Sequence, residues 1–309
     1  MAHHVIHRGL DRLPGTPRRL HGKVFARGWR RFVDWFDWMH PDAWHHEHDV
    51  MHHYRLGEVD ADPDVPEENA SWLRDSRLPM GARRLVVYLG CLVWKPLYYA
   101  PNTMNALMNH RERGSGAPPV HSLSWEAWKP WRPRLRAVFW HCWLPYGVSR
   151  FVLLPALFLP FGATAATWAL VNVLIGEAVA NAWSFWVIVP NHAGDDLYRF
   201  DAPLAGRAEF YLRQIVGSTN YRTGGDLNDF LHGWLNYQIE HHVFPELSPR
   251  QYQRAQPRLR ALCEAHGVPY VQESIFRRMR RTADILVGAT SMRHWPVADA
   301  AAGAGGGQD

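Results

Sequence analysis

Histidine and acidic residues are concentrated in one short segment near the start of the chain, residues 44–53, which read WHHEHDVMHH. If this segment is helical, His48 and His52 lie one turn apart on the same face, with His53 beside them. Two imidazoles at this spacing can share a metal ion, and the third can reach a neighbouring ion. A solvent-exposed histidine-rich helix and an adventitious nickel-binding tract are the alternatives. The HExxH motif of zinc proteases is absent, because Val50 stands where its second histidine would be.

A second histidine pair lies near the end of the chain, in residues 236–245, which read NYQIEHHVFP. On a helix His241 and His242 point about 100° apart, so each can bind a different one of two metal ions. Gln238 lies about one turn earlier and can add a weaker or water-mediated contact, and Pro245 ends the helix. Together with the first cluster, this pair predicts a site for two metal ions.

Three further histidines complete the candidate site. His192 directly follows a long apolar segment. Alone it would more simply anchor a helix at the membrane interface, but the two clusters favour metal binding. His3 and His7 have the i, i+4 spacing of a ligand pair, although an expression tag or an initiator artefact would give a similar sequence. The candidate metal ligands are therefore His3, His7, His48, His52, His53, His192, His241 and His242.

Other polar residues are expected to support these ligands. A carboxylate can orient a metal-bound histidine by accepting a hydrogen bond from the ring nitrogen that does not bind the metal. The residues from which we expect such weaker or indirect contacts are Gln238, His45, Asp49, Asp195 and Glu240.

The type of ligand indicates the metal. Many neutral imidazoles, no thiolates and two ions suit iron better than the closed tetrahedral sites of structural zinc. The three cysteines, Cys91, Cys142 and Cys263, form no CxxC pair and are odd in number. They argue for a reducing compartment and against a disulfide framework or a cysteine-based zinc site. Two iron ions held by nitrogen ligands can activate O₂ to attack an unactivated C–H bond, so the residues predict a di-iron oxidation site.

The apolar residues are concentrated at 137–190. Ala163 to Pro190 contains one formal charge, Glu177, and exceeds the roughly 20 residues that span a bilayer. The preceding segment is long enough only if it begins near Val138 and tolerates Pro145 and Arg150. A reversal at residues 161–163 then gives a helical hairpin through the membrane. A buried hairpin in a soluble protein is the alternative.

A hairpin that crosses the membrane twice leaves the rest of the chain on one side. Arginines flank it there, so the positive-inside rule makes that side cytoplasmic and brings the histidine clusters together. We therefore predict an all-α integral membrane fold in which one domain, residues 1–290, combines the hairpin (137–190) with a cytoplasmic cap (1–136 and 191–290). Residues 291–309 are predicted to be a disordered tail. Residues 85–99 are interrupted by Lys95-Pro96 and are predicted to be interfacial or re-entrant.

These motifs resemble the three histidine boxes of the membrane fatty acid desaturase superfamily. The first box is read as HxxxH (His3, His7), the second as HxxxHH (His48, His52, His53) and the third as QxxHH (Gln238, His241, His242). The stretch 228–273 is similar to front-end acyl desaturases, in which glutamine replaces the first histidine of the third box. His192 corresponds to the extra histidine after their last membrane helix.

The resemblance implies an O₂-dependent desaturase that uses two Fe ions to insert a double bond into a fatty acyl lipid or acyl thioester. It also implies an external electron donor, such as ferredoxin or a cytochrome b5-type protein. The arginines at 254–281 could receive this donor or bind lipid headgroups equally well. The net charge is +5, but no nucleic-acid-binding motif accompanies it, and we expect no nucleic-acid partner. Two positions are open for the aromatic residues of the second apolar segment, which either line the acyl tunnel or face lipid. These residues are Trp183, Phe185 and Trp186.

Three departures from the family pattern keep alternatives open. The second box has the longer spacing of the alkane-hydroxylase branch, and Ile188 replaces an asparagine that commonly precedes the extra histidine. Family members carry membrane helices before the first box, so we expect Met1 to be an internal methionine and the first hairpin to be lacking. The alternatives are an acyl or alkyl hydroxylase with the same metal site, a truncated non-catalytic membrane relative and, more remotely, a soluble zinc hydrolase.

Overall fold

The computed structural model describes residues 2–112, 125–129 and 132–295. The chain is mostly helical, with 65% helix and 3% strand, so the predicted all-α class is confirmed at this coarse level. The strands β1 (Tyr198–Arg199) and β2 (Arg293–His294) pair in parallel. This pairing includes the first residues of the predicted tail, and residues 296–309 lie outside the described part of the chain.

The helices form three groups along the chain. Those before the apolar segments are α1 (Ala2–Ile6), α2 (Arg31–Asp34), α3 (Pro41–Trp44), α4 (His53–Arg55), α5 (Pro66–Asn69), α6 (Ser71–Arg74), α7 (Met80–Gly90), α8 (Ala100–Glu112) and α9 (Trp125–Trp128). Those of the apolar segments are α10 (Pro133–Val138), α11 (Leu144–Val148), α12 (Leu154–Ala156) and α13 (Ala163–Ile188). Those that follow are α14 (Arg207–Val216), α15 (Asp226–Leu231), α16 (Gln238–Val243), α17 (Pro249–Ala265) and α18 (Ile275–Leu286).

Tighter and wider helical turns connect these elements. The 3₁₀ turns are Arg18–Leu20, Gly28–Arg30, Leu159–Phe161, Val189–Asn191 and Leu235–Tyr237. The π-helical segments are His45–His52, Lys95–Tyr99, Phe139–Trp143 and Ser149–Leu153.

Two long apolar helical runs, Pro133–Phe161 and Ala163–Asn191, lie where the sequence predicts the hairpin. Each has 29 residues, and both are long and apolar enough to cross a membrane. Gly162 joins them with a φ of 101°, a left-handed value that glycine adopts without a Cβ clash. Passage of this hairpin through a bilayer, and the cytoplasmic cap, stay predictions.

The π-helical segments in the first run are associated with prolines. Pro145 has no N–H to donate to the carbonyl of His141, so an ordinary helical hydrogen bond is lost there. The buried Arg31 donates from Nη1 to that carbonyl at 2.8 Å. A residue far away in the sequence therefore satisfies a backbone group that the proline leaves free, and it ties α2 to the hairpin.

A buried acidic residue fastens the two runs to each other. Glu177 of α13 accepts hydrogen bonds from Tyr146 Oη at 2.7 Å, Arg150 Nε at 3.0 Å and Trp38 Nε1 at 3.1 Å. These donors compensate for removing the carboxylate from water. The single charge of the second apolar segment thus has three partners, which fix the hairpin against the N-terminal part of the chain.

Candidate metal centre

Four distant parts of the chain bring their histidines to one place. His3 lies in α1 and His7 just after it, and the second box spans the π segment and α4. His192 follows the 3₁₀ turn Val189–Asn191, and the third box forms α16. One candidate ligand nitrogen from each of His3, His7, His48 and His241 lies within 4.8 Å of the others. The same holds for His52, His192 and His242. We call these sets the first and second imidazole groups.

His48 and His52 belong to different groups, although their spacing suggested that they could share an ion. Their rings are stacked, with centroids 5.2 Å apart and planes at 21°. Lone pairs on nearly parallel rings one turn apart point side by side and do not converge on one atom. His241 and His242, in contrast, separate into the two groups as the helical angle between adjacent residues predicts.

His53 lies between the groups. Its ring centroid is 4.4 Å from that of His7 in the first group and 4.2 Å from that of His242 in the second. Both of its ring nitrogens are buried without a hydrogen-bond partner among the described residues. The position makes His53 available to either group.

Burial determines the charge of these imidazoles. Loss of hydration lowers the pKa of the histidines, and repulsion from neighbouring imidazoles lowers it further. The residues whose pKa is held well below the ordinary value in this way are His3, His48, His53, His192, His241 and His242. Burial acts on His52 as well, but the adjacent Asp62 outweighs it and raises the pKa of His52. The six are therefore neutral at neutral pH, which is the form that binds metals.

Two residues orient the histidine rings of the third box and determine which ring nitrogen of each carries the hydrogen. Tyr252 Oη donates to the Pro245 carbonyl at 3.1 Å, so it accepts from His241 Nδ1 at 3.0 Å. Gln214 Nε2 donates to the His53 carbonyl at 3.1 Å, which leaves Oε1 to accept from His242 Nδ1 at 3.0 Å. Both histidines therefore keep a lone pair on Nε2.

The other boxes show the same pattern of Nδ1 contacts. His7 Nδ1 is 2.9 Å from Asp49, His52 Nδ1 is 3.0 Å from Asp62, and His192 Nδ1 is 3.2 Å from the Gly217 carbonyl. Asp62 is itself held by the backbone N–H groups of Gly57 and Asp64. Metal-binding histidines commonly donate their other ring N–H to such an acceptor.

The unsatisfied nitrogens test whether these residues fit a metal. Nε2 of His7, Nε2 of His242 and both ring nitrogens of His48 are buried with no hydrogen-bond partner among the described residues. A buried polar atom without a partner is costly, and proteins rarely keep several together. Closely packed imidazoles with unsatisfied ring nitrogens, several of them oriented through Nδ1, suit metal ions, so the donor set fits.

Three of the predicted supporting residues adjoin the imidazole groups. Asp49 lies between His7 and His45, and its Oδ2 is 2.8 Å from His45 Nδ1. Burial would raise the pKa of Asp49, but its contacts with these two histidines hold it far below the ordinary value. Gln238 Nε2 is 2.9 Å from His192 Nε2, and Asn191 donates to Gln238 Oε1 at 3.2 Å.

The two other predicted supporting residues lie elsewhere. Asp195 is paired with Arg281 of α18. Glu240 accepts from Asn220 at 2.8 Å and from Tyr270 at 2.7 Å, within the packing around α17. Both carboxylates therefore have strong partners other than a histidine ring, and their role in orienting ligands stays a prediction that these contacts do not support.

Sequence reasoning missed the residues that do hold the rings, namely Gln214, Tyr252 and Asp62. Nothing in the sequence spacing marks them, because they approach from α14, α17 and the loop before α5. It also missed Asp64, which lies with Glu47 beside His48. Burial, and then repulsion from Asp64, raises the pKa of Glu47.

An apolar cavity of about 360 Å³ ends at the imidazole groups. His3, His48, His52 and His192 form its polar end, and no lysine or arginine of the described chain lines it. The apolar walls include Leu73, Val87, Val93, Trp94, Leu97 and Phe185. The volume and the mainly apolar lining of the cavity suit a hydrocarbon chain.

Only one of the three aromatic residues predicted to line such a tunnel does so. Phe185 lines the cavity. Trp183 instead donates from Nε1 to the Leu231 carbonyl at 2.9 Å, and Trp186 packs on Phe276 with ring centroids 5.9 Å apart. Neither tryptophan is among the cavity residues.

Comparison with known proteins agrees with this geometry. The family described as "Fatty acid desaturase" matches residues 1–274. The NADPH-dependent stearoyl-CoA 9-desaturase of Mycobacterium tuberculosis is 33% identical over 136 residues, which are 43% of this chain and 31% of that protein. The acyl-lipid (7-3)-desaturase of Rebecca salina is 32% identical over 235 residues, 74% of this chain and 48% of that protein.

A similar protein from Caenorhabditis elegans, the Delta(5) fatty acid desaturase fat-4, is 29% identical over 119 residues, 38% of this chain and 25% of that protein. The chain thus spans half or less of the length of these curated relatives. No solved structure matches it.

Proposed function

Because the chain belongs to the fatty acid desaturase family, we propose that it inserts a double bond into a fatty acyl chain at two iron ions. The observation that carries the proposal is the apolar cavity that ends on two groups of closely packed imidazoles. The walls suit methylene groups, and the polar end would hold the oxidising centre. An acyl chain in the cavity would thereby have its C–H bonds beside the metal ions.

The reaction removes one hydrogen atom from each of two adjacent carbons. O₂ is reduced to two molecules of water by those two hydrogen atoms together with two further electrons and two protons. The iron ions, when bound, supply the activation of O₂. Two external electrons are needed for each turnover, and an electron carrier such as ferredoxin or a cytochrome b5-type protein would provide them.

The protein's own residues would hold and shield the centre. Tyr252, Gln214 and Asp62 hold three imidazoles through Nδ1, and Asp49 lies 2.9 Å from His7 Nδ1, so these rings need little reorientation when metal binds. The apolar walls would exclude water from the reacting carbons. Burial of each methylene group contributes roughly 0.8 kcal/mol to acyl binding.

The relatives bear on the substrate class. One is named for stearoyl-CoA and another for acyl lipid, so both a thioester and a lipid ester occur as acyl carriers among similar proteins. We propose a fatty acyl lipid or acyl thioester as the substrate. The absence of basic residues from the cavity walls agrees with a ligand that is uncharged along its chain.

The site would belong to an integral membrane protein and face the cytoplasm. The two apolar runs support this, because large apolar side chains are exposed along them, including Phe161 at 79% and Val179 at 62%. Such exposure is normal against lipid and unusual against water. Arginines flank the hairpin on the side of the histidine boxes, which supports the cytoplasmic orientation.

The test is expression of the full chain in a host with saturated acyl lipids, followed by analysis of its fatty acids. A new unsaturated acid, absent when His242 is replaced by alanine, would support the proposal. A hydroxylated acid without an alkene would instead support the hydroxylase alternative. The longer spacing of the second box is the observation that favours this alternative. An iron-loaded chain that forms neither product, with electrons supplied by dithionite, would indicate a non-catalytic relative.

A further inference from the structure

Helix α17 has two opposite faces of different character. Tyr252, Leu259 and Cys263 are buried on one face. Arg250, Arg254 and Arg258 recur every four residues on the other face and are exposed. We call these three residues the α17 arginine stripe. At about 100° per residue, the middle of the stripe lies roughly opposite Tyr252.

Two members of the stripe are free to bind a partner. Arg250 is paired with Asp226 at 2.8 Å. Arg254 and Arg258 have no ion-pair partner among the residues the structure describes. Two exposed guanidinium groups one helical turn apart make a site of positive potential that would attract an anionic surface.

The buried face of the same helix contacts the metal centre. Tyr252 Oη is 3.0 Å from Nδ1 of His241, a member of the first imidazole group. A helix with its side chains is about 10 Å across. A protein seated on the stripe would therefore be separated from this candidate ligand by little more than the thickness of α17.

Several other arginines of the predicted docking stretch are already paired. Arg278 is fully buried against Asp196, and Arg281 is paired with Asp195 and Glu273. Arg260 is paired with Glu264 on the flank of α17. Arg277 and Arg280 of α18 are also exposed, so the stripe is preferred because it lies across α17 from the Tyr252–His241 contact.

We propose that the α17 arginine stripe docks an acidic one-electron carrier, which passes its electron to the metal centre across α17. The inference rests on the proposed function, because that reaction needs external electrons. Each docking would oxidise one reduced carrier by one electron, and two dockings would supply one turnover. The partner is identified by its chemistry: a small protein with carboxylates around its redox group.

The side chains near the stripe favour a protein over a membrane surface. Helices that lie on a membrane place Trp, Phe or Leu beside their basic residues. Between the arginines α17 presents Pro257 and Ala261, and only Leu262 is a large apolar side chain exposed at the edge of this face. Large exposed apolar side chains lie instead on other elements: on α7, on the hairpin and on α15, which carries Leu227, Phe230 and Leu231.

The first experiment measures binding without any redox reaction. The detergent-purified, metal-free full chain is titrated with an oxidised, acidic plant-type [2Fe–2S] ferredoxin at low ionic strength. The double variant Arg254→Gln/Arg258→Gln should bind about tenfold more weakly than the parent chain, and the difference should shrink at about 0.5 M salt. The matched control is Arg18→Gln/Arg19→Gln, which removes two exposed charges from another segment and should bind like the parent.

Three results would overturn the proposal: unchanged binding by the stripe variant, an equal loss in the control, or a loss confined to vesicles. For the last, the same proteins are floated with phosphatidylcholine vesicles containing phosphatidylserine. If the stripe variant loses vesicle binding and keeps ferredoxin binding, the stripe binds lipid.

A second experiment separates this inference from the proposed function. Iron-loaded parent chain is given either dithionite or reduced ferredoxin, and unsaturated product is measured. The stripe variant should keep its dithionite-driven yield and lose most of its ferredoxin-driven rate. If the parent forms no product with dithionite, the proposed function fails. If the control variant loses as much ferredoxin-driven rate as the stripe variant does, only the docking proposal fails.

Discussion

The imidazole of His53 stacks on that of His242, with ring centroids 4.2 Å apart and planes at 6°. The two residues are also joined through Gln214, which donates to the His53 carbonyl and accepts from His242 Nδ1. The second and third boxes therefore fix each other's positions. Because His53 also approaches His7, this stack lies where the two imidazole groups meet.

Replacing His53 by alanine should impair both metal sites, because its ring adjoins both groups. His192→Ala should affect mainly the second group, since His192 belongs to that group and not to the first. We expect about one iron per chain for His192→Ala and clearly less for His53→Ala. Metal analysis after reconstitution in detergent measures this.

The control for this pair is His266→Ala, at an exposed position after α17, which should retain the iron content of the parent. If His53→Ala kept as much iron as the control, His53 would be a packing residue and not a ligand.

Tyr252→Phe should weaken metal binding without unfolding the chain. The substitution keeps the ring and removes the hydroxyl that fixes the His241 tautomer. Loss of such a supporting hydrogen bond typically lowers metal affinity about 10- to 100-fold. Competition with a chelator during iron(II) titration gives the affinity.

Tyr270→Phe is the comparison for Tyr252→Phe. This substitution also removes a partly buried hydrogen bond, the one from Tyr270 to Glu240, but that bond involves no imidazole. Equal affinities in the two variants would remove Tyr252 from the metal site.

Glu177→Ala should destabilise the hairpin by about 2–4 kcal/mol, because Trp38, Tyr146 and Arg150 lose their common acceptor. Thermal unfolding in detergent would report this as a lower Tm. Val179→Ala, on the exposed side of the same helix, should change the Tm little. A similar Tm in both variants would show that the Glu177 interactions add no stability.

Local patterns predicted the parts of this fold that depend on local physics. The apolar runs and the reversal at Gly162 follow from composition and from the backbone freedom of glycine. The separation of His241 and His242 follows from the angle between adjacent residues of a helix. In each case the relevant interaction lies within a few residues of the sequence.

Contacts between distant segments were not predictable in this way. The stacking of His48 and His52 depends on a π-helical segment that their spacing alone does not reveal. Glu240 and Asp195 looked suitable as supporting carboxylates, but Tyr270 and Arg281 come from elsewhere in the chain and bind them. Tertiary packing therefore decides which of several nearby carboxylates orients a histidine.

Gly90→Leu should shorten the acyl chains that the protein accepts. Gly90 lines the apolar cavity, and a Cβ added there meets nothing within 4 Å, so a leucine side chain would project into free space without displacing backbone. A substrate that fills the cavity would then clash, and shorter acyl chains would compete better. Product profiles of the expressing host, resolved by chain length, measure the change. Gly81→Leu is the matched control, because Gly81 lies on the same helix in equally open space but does not line the cavity. The same shift in both variants would mean that the helix and not the cavity governs chain length, and an unchanged profile for Gly90→Leu would place the substrate outside this cavity.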